Sequence, residues 1–168
     1  MIFTEKERDM ATRQRRFRDL MGRFVTGVSV IAVETDSGVV AMTANAISAV
    51  SLDPLLLLCC IRNESRMLTT MLEAGAFSIN VLAGDQDDVS RYYGGRCEGD
   101  CPAHWLEAEG APVLGGANAS FVCRVAAHHV VGDHTVIYGA VEDMAASEPA
   151  APALLYAAGR YHALPLGA

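Results

Sequence analysis

The sequence predicts a mainly β fold, an antiparallel β-barrel with a few short flanking helices. Three observations carry that expectation. Strand-like segments recur at short spacing, roughly seven of them, as in small barrels. Helical segments are few and short, and they do not alternate with strands as a doubly wound α/β sheet requires. No GxGxxG follows a strand, so a Rossmann dinucleotide site is not expected.

The first segment, about Thr4 to Phe24, is helical in pattern, because Phe17, Leu20, Met21 and Phe24 fall at i, i+3, i+4 and i+7. Arg13, Arg15, Arg16, Arg18 and Arg23 cluster there and read as the solvated face of that helix. Gly27 ends the pattern. Val28 to Val33 and Val39 to Met42 read as paired strands around the turn signal Asp36-Ser37-Gly38. Ile47 to Ser51 is a short strand broken by Asp53-Pro54. Leu55 to Ile61 is a continuous apolar run, expected to be a strand buried on both faces. Ser65 caps a short helix through about Ala74, which Gly75 closes. Ala76 to Leu82 is a strand, and Asp85 begins a second short helix through about Tyr93.

Gly94 to Gly116, rich in Gly, Pro and acidic residues, reads as a long excursion that carries the only tryptophan, Trp105. Two long strands follow, about Ser120 to Val131 and Thr135 to Met144, joined by Gly132-Asp133-His134. Ala145 to Ala153 reads as a loop, and Gly159 to His162 as a last short strand.

The chain's 168 residues suit a single domain, residues 1–168, with a real core. A hydrophobic content of 51% argues against disorder, and a net charge of −7 against nucleic-acid binding. The start MIFTEKERDM is charged where a signal peptide needs an apolar region, and the longest apolar run is far short of a membrane span. Five cysteines, an odd number, fit a cytoplasmic chain with free thiols.

Several ordered blocks resemble the flavin reductase-like, FMN-binding split-barrel family, which includes the reductase components of two-component flavin-dependent monooxygenases. The blocks are Phe24-Val25-Thr26-Gly27-Val28, Met42-Thr43-Ala44-Asn45-Ala46 running to Ser51-Leu52-Asp53-Pro54, Phe77 to Leu82, Gly110 to Leu114, Gly132-Asp133-His134 and Gly159-Arg160-Tyr161. The resemblance covers nearly the whole chain. It implies a split β-barrel, FMN or FAD as the flavin, NADH or NADPH as hydride donor, a homodimer, and a monooxygenase partner receiving reduced flavin. The family usually has Ser where this chain has Ala46, which removes a hydroxyl contact to the flavin but leaves any backbone contact.

Such an enzyme needs no strong base, because the cofactor carries the hard chemistry. The protein has to hold two flat rings at the right distance and stabilise charge on the pyrimidine side of the flavin. Thr43, Ala44, Asn45 and Ala46 suit this, being small enough for close backbone approach, with Thr and Asn offering donors and acceptors. The flavin phosphate needs N–H groups, hydroxyls and an arginine. Cys60, Ile61, Arg62, Ser65 and Arg66 stand just before a helix, and either arginine could reach the phosphate. The resemblance also brings Ser51 and Asn80 into the cofactor-binding set, and Tyr161 as a residue closing over the ring. It places His134 on the nicotinamide side, positioning NAD(P)H or supporting the reduced flavin's charge. His128 and His129 face opposite sides of one strand, a spacing poor for joint metal binding. Cys97, Cys101 and His104 have zinc-like spacing but lack a fourth ligand. Cys59 and Cys60 read as small hydrophobes. A flavin-binding electron-transfer module or a reductase of another acceptor such as a corrinoid would share the barrel, and a pyridoxamine-phosphate-oxidase-like enzyme would use a related one, although Gly132-Asp133-His134 and Gly159-Arg160-Tyr161 fit the reductase better.

Overall fold

A computed structural model describes residues 5–97 and 99–165. Thr4, at the expected start of the first helix, lies outside the described residues. The elements are α1 (Glu5–Met21), β1 (Thr26–Gly27), β2 (Ser29–Thr35), β3 (Gly38–Ala44), β4 (Ile47–Leu52), β5 (Leu55–Arg62), α2 (Arg66–Ala74) and β6 (Ala76–Val81). They continue with α3 (Asp87–Tyr93), β7 (Trp105–Leu106), β8 (Val113–Leu114), β9 (Ala119–Val131), β10 (His134–Ala146), β11 (Ala153–Ala157) and β12 (Arg160–Leu164).

Seven strands form one antiparallel sheet in the order β3-β2-β6-β9-β10-β5-β4. Its two edge strands, β3 and β4, are consecutive in the chain. Only Asn45 and Ala46 separate them, and three peptide units from Ala44 to Ile47 span at most about 11 Å. The sheet must therefore roll until its edges approach, and the seam between them is the split of a barrel. Ala46 O accepts from Cys60 N at 3.1 Å, which fastens the seam to β5.

Strand alternation sorts the side chains into an inner and an outer set. Ile31, Val33, Cys59, Ile61, Phe77, Ile79, Cys123 and Ile137 fill the barrel, and Met67, Leu68 and Met71 of α2 pack against them. Full burial of each large side chain here is worth about 1.5–3 kcal/mol. Ser65 caps α2 as expected, its Oγ accepting from Met67 N at 3.3 Å, and Gly75 ends it in the left-handed conformation at φ 71°. On the outside of β2 and β6, Val28, Val30 and Leu82 join Val89 of α3, Leu114 of β8 and Leu154 of β11 in a second cluster. A small sheet, β1-β11-β12, lies over this side, held where Leu82 N donates to Val28 O and Leu154 N to Leu82 O.

Three expectations need correction. The first helix stops at Met21, short of Phe24, and its stripe Phe17, Leu20 and Met21 is at least half exposed (67%, 53% and 51%). β5 is not covered on both faces, because Cys59 and Ile61 point into the barrel while Leu56, Leu58 and Cys60 on the other face stay half-buried. The short strands β1, β7, β8 and β11 carry no sequence signal of their own. Lastly, α3 starts at Asp87, because Gln86 is engaged before it: its Oε1 accepts from Ala83 N and its Nε2 donates to Gly115 O.

Candidate functional site

The seam positions Thr43, Ala44 and Asn45 at the mouth of a cleft of about 230 Å³. Thr43 Oγ1 donates to Ser90 O at 2.7 Å, tying β3 to α3, and Asn45 Nδ2 donates to Thr26 Oγ1 at 3.2 Å. The small sheet supplies the opposite wall through Tyr156 and Tyr161, whose ring centroids lie 5.3 Å apart at a tilt of 57°. Tyr161 is fixed further by the 2.8 Å hydrogen bond between its hydroxyl and Ser90 Oγ, and by the Arg91 guanidinium 4.8 Å over its ring. Arg96 completes the lining, and its hydrogen bond to Tyr156 raises the guanidinium pKa further. Gly94 is required by close approach, since a Cβ there would lie 2.9 Å from Ser90 O. The cleft thus combines small residues, an amide, two phenols and a cation, a set chemically suited to a flat heteroaromatic ring with an anionic tail.

A second grouping follows from register. Residues opposed across an antiparallel pair share a face, and Ala46 meets Cys60, Ser51 meets Leu56, and Arg62 meets His134. Ala46, Ser51, Cys60, Arg62 and His134 therefore all belong to the outer face of β4, β5 and β10. His134 is the first residue of β10 rather than a turn residue, because Gly132 and Asp133 alone make the turn. His134 Nδ1 lies 2.8 Å from Asp133 Oδ1. This hydrogen bond holds the Asp133 carboxyl below its ordinary pKa. With the carboxylate accepting, Nδ1 is the donor, which leaves Nε2 for a ligand. Arg62, Asp133 and His134 line one side of a larger cleft, about 1030 Å³, whose other side is α1.

Two expected site residues are placed elsewhere. Asn80 is fully buried and all its polar capacity is used inside the fold. Its Nδ2 donates to Val30 O and Ser78 Oγ, and its Oδ1 accepts from Leu114 N and Ser120 Oγ. It is a bracket holding the 94–118 excursion to the barrel. Ile61 points into the barrel with no exposed area, so only its backbone remains for any ligand. Of the two arginines, Arg62 faces the His134 cleft, while Arg66 is an exposed residue opening α2 beside Ser65. Ser51 Oγ accepts from Asp53 N at 3.2 Å, within its own turn.

The remaining motifs resolve as structure. His128 and His129 pair with Ile137 and Val136, on opposite faces. No group of three or more metal-ligating side chains occurs among the described residues, and Cys101 instead meets the Tyr93 hydroxyl, to which Trp105 Nε1 donates. Burial pushes the Cys59 and Cys123 thiols up to about 12, so neither is a nucleophile. Sequence reasoning missed Ser90, Gly94, Arg96 and Tyr156. Arg96 stands in a Gly-rich stretch without periodicity and Tyr156 in a strand that leaves no pattern, so neither gave a signal.

The family model for the flavin reductase like domain matches residues 21–165. The chain belongs to the flavin reductase-like family. An NADH-dependent flavin reductase of Rhodococcus is 37% identical over 147 residues, covering 86% of this chain and 84% of that protein. An FMN reductase (NADH) of Agrobacterium fabrum is 42% identical over 130 residues, covering 76% and 74%. Among solved structures, the styrene monooxygenase flavin reductase of Pseudomonas putida superposes with a TM-score of 0.82 at 32% identity, covering 90% of this chain and 99% of that one. The split barrel deduced from the β3–β4 seam is thus the barrel of flavin reductases.

Proposed function

We propose that this chain is an NADH-dependent flavin reductase that reduces FMN or FAD for a partner monooxygenase. The observation that carries the reading is the register of β4, β5 and β10, which aligns Ala46, Ser51, Cys60, Arg62 and His134 on one uncovered face running from the seam. The relatives' activities point the same way.

A bound flavin would supply the redox chemistry, taking hydride from the dihydronicotinamide. The chain's own residues bind and orient. Thr43 to Ala46 bring backbone close to the ring edge, and Asn45 offers its amide. Ser65 and Arg66 at the start of α2 suit the flavin phosphate. Tyr161, held by Ser90 and Arg91, closes one side against solvent. His134, oriented by Asp133, presents Nε2 toward the nicotinamide side and excludes misaligned approach.

The uncovered face argues for a homodimer. Leu56, Leu58, Val136 and Tyr138 are only half-buried on it, and Val131 of β9, which opposes His134 on the same face, is exposed. A second copy of the chain would cover them and enclose the flavin. All five cysteines are free and no helix among the described residues is long and apolar enough to cross a membrane, which fits a cytoplasmic enzyme.

The test mixes the protein with NADH and free FMN and follows nicotinamide absorbance. Continuous, flavin-dependent consumption is expected. A single stoichiometric reduction would instead identify an electron carrier, and consumption only with a different acceptor would identify a reductase of that acceptor.

A further inference from the structure

The face that α1 turns toward the His134 cleft is not the apolar stripe alone. Arg13, Gln14, Phe17 and Arg18 line the cleft, at helical spacing, opposite Arg62 and His134. Arg13 and Arg18, read from sequence as part of a solvated face, therefore share a cavity with a third arginine from the end of β5. None of the three makes an ion pair among the described residues, whereas Arg91 and Arg124 each have a carboxylate partner. Asp133 is the one acidic group lining the cleft, and its carboxylate is engaged by His134. Three cations against one anion leave a local charge of +2, which matches the two charges of a diphosphate. Phe17, two-thirds exposed on the same helix face, offers an apolar ring beside it.

We propose that Arg13 and Arg18 of α1, facing Arg62 across the cleft, bind the diphosphate of the nicotinamide dinucleotide and thereby set its orientation to His134. The inference rests on the reductase reading above and extends it to a helix outside the barrel. The site reads a charge that NADH carries and a bare nicotinamide lacks. The nicotinamide end then reaches His134 and the adenosine end runs along α1 past Phe17. The guanidiniums are exposed at the cleft wall, so the interaction is screened by salt.

The experiment compares the full chain, loaded with FMN, with Arg13→Ala/Arg18→Ala and with Arg15→Ala/Arg16→Ala. The two double variants lose equal charge and keep helix propensity, and only the first removes cleft residues. Calorimetric titration with ADP-ribose reads the diphosphate site without turnover. Affinity is expected to fall about tenfold or more in the first variant and to stay within about twofold in the second. The KM for NADH should rise by a similar factor in the first variant. Raised salt should weaken binding to the unsubstituted protein and have little effect on the first variant. Equal ADP-ribose affinity in all three proteins would overturn the proposal. A rise in the KM for FMN with that for NADH unchanged would also overturn it, by assigning the arginines to the flavin phosphate. Absence of any NADH consumption by the unsubstituted protein is a different result, and it contradicts the reductase reading itself.

Discussion

The two sides of the barrel wall are treated differently. Outside β2 and β6, the outward residues are sealed by α3, the 94–118 excursion and β11, and Asn80 there spends every hydrogen bond on the protein. Outside β4, β5 and β10, the outward residues are half-buried, and among the described residues α1 faces them at one end. The same alternation of polar and apolar side chains builds both sides. What differs is whether polar groups are satisfied internally or left facing outward, and this distinguishes scaffold from site more sharply than residue type does. Asn45 and Asn80 show the point: one is exposed at the seam, the other fully buried.

The largest effect should come from breaking the sealed side. Asn80→Ala leaves the buried Leu114 N and Val30 O without their partner, and unfolding by denaturant should show a loss of about 4 kcal/mol. A loss below about 1 kcal/mol would mean that water replaces the bracket and that the side is less sealed than described. Next, the open side should respond through assembly. Val131 is 61% exposed and opposes His134 on the open face, so Val131→Glu should fold normally yet raise the dimer dissociation constant about thirtyfold or more, seen by sedimentation. An unchanged dimer would place the interface elsewhere.

A smaller effect is expected at the end of the open side. His134→Ala should raise the KM for NADH roughly tenfold while FMN affinity, measured by fluorescence quenching, stays nearly intact. Equal weakening of both would make His134 a flavin ligand instead. The smallest effect is electrostatic. Because the His134 hydrogen bond lowers the Asp133 pKa in the folded state, the pair's contribution is present above the ordinary carboxyl value of 3.8 and is lost as pH falls through the lowered one. In His134→Ala, an NMR titration of the Asp133 carboxyl should show its pKa rising toward the ordinary value, and no rise would mean that the backbone holds it down.

Much of the barrel was legible because period-two alternation and turn residues are local signals. The Asp36-Ser37-Gly38 hairpin, the Ser65 cap with the Gly75 stop, and the Gly132-Asp133 turn all stand where local chemistry puts them. The tetrad Thr43 to Ala46 was legible as small and polar, yet its place at the seam follows only from strand order, a long-range property. Asn80 misled because a polar residue in a strand looks the same whether its partners are a ligand or the backbone of Leu114, far along the chain. Arg13 and Arg18 are solvated as the sequence implies, but helix periodicity shows which residues share a face and not that this face lines the His134 cleft. Arg96 and Tyr156 were invisible, since they reach the cleft through segments with no period at all.

The central claim is that flavin binds at the seam and along the open side of the barrel, and not behind Asn80 on the sealed side. Amide hydrogen exchange of the protein with and without FMN reads this directly. The account predicts that added FMN slows exchange across residues 43–47 and 58–66 and leaves 76–83 and 111–118 unchanged. Protection confined to 76–83 and 111–118, with the seam unaffected, would contradict it.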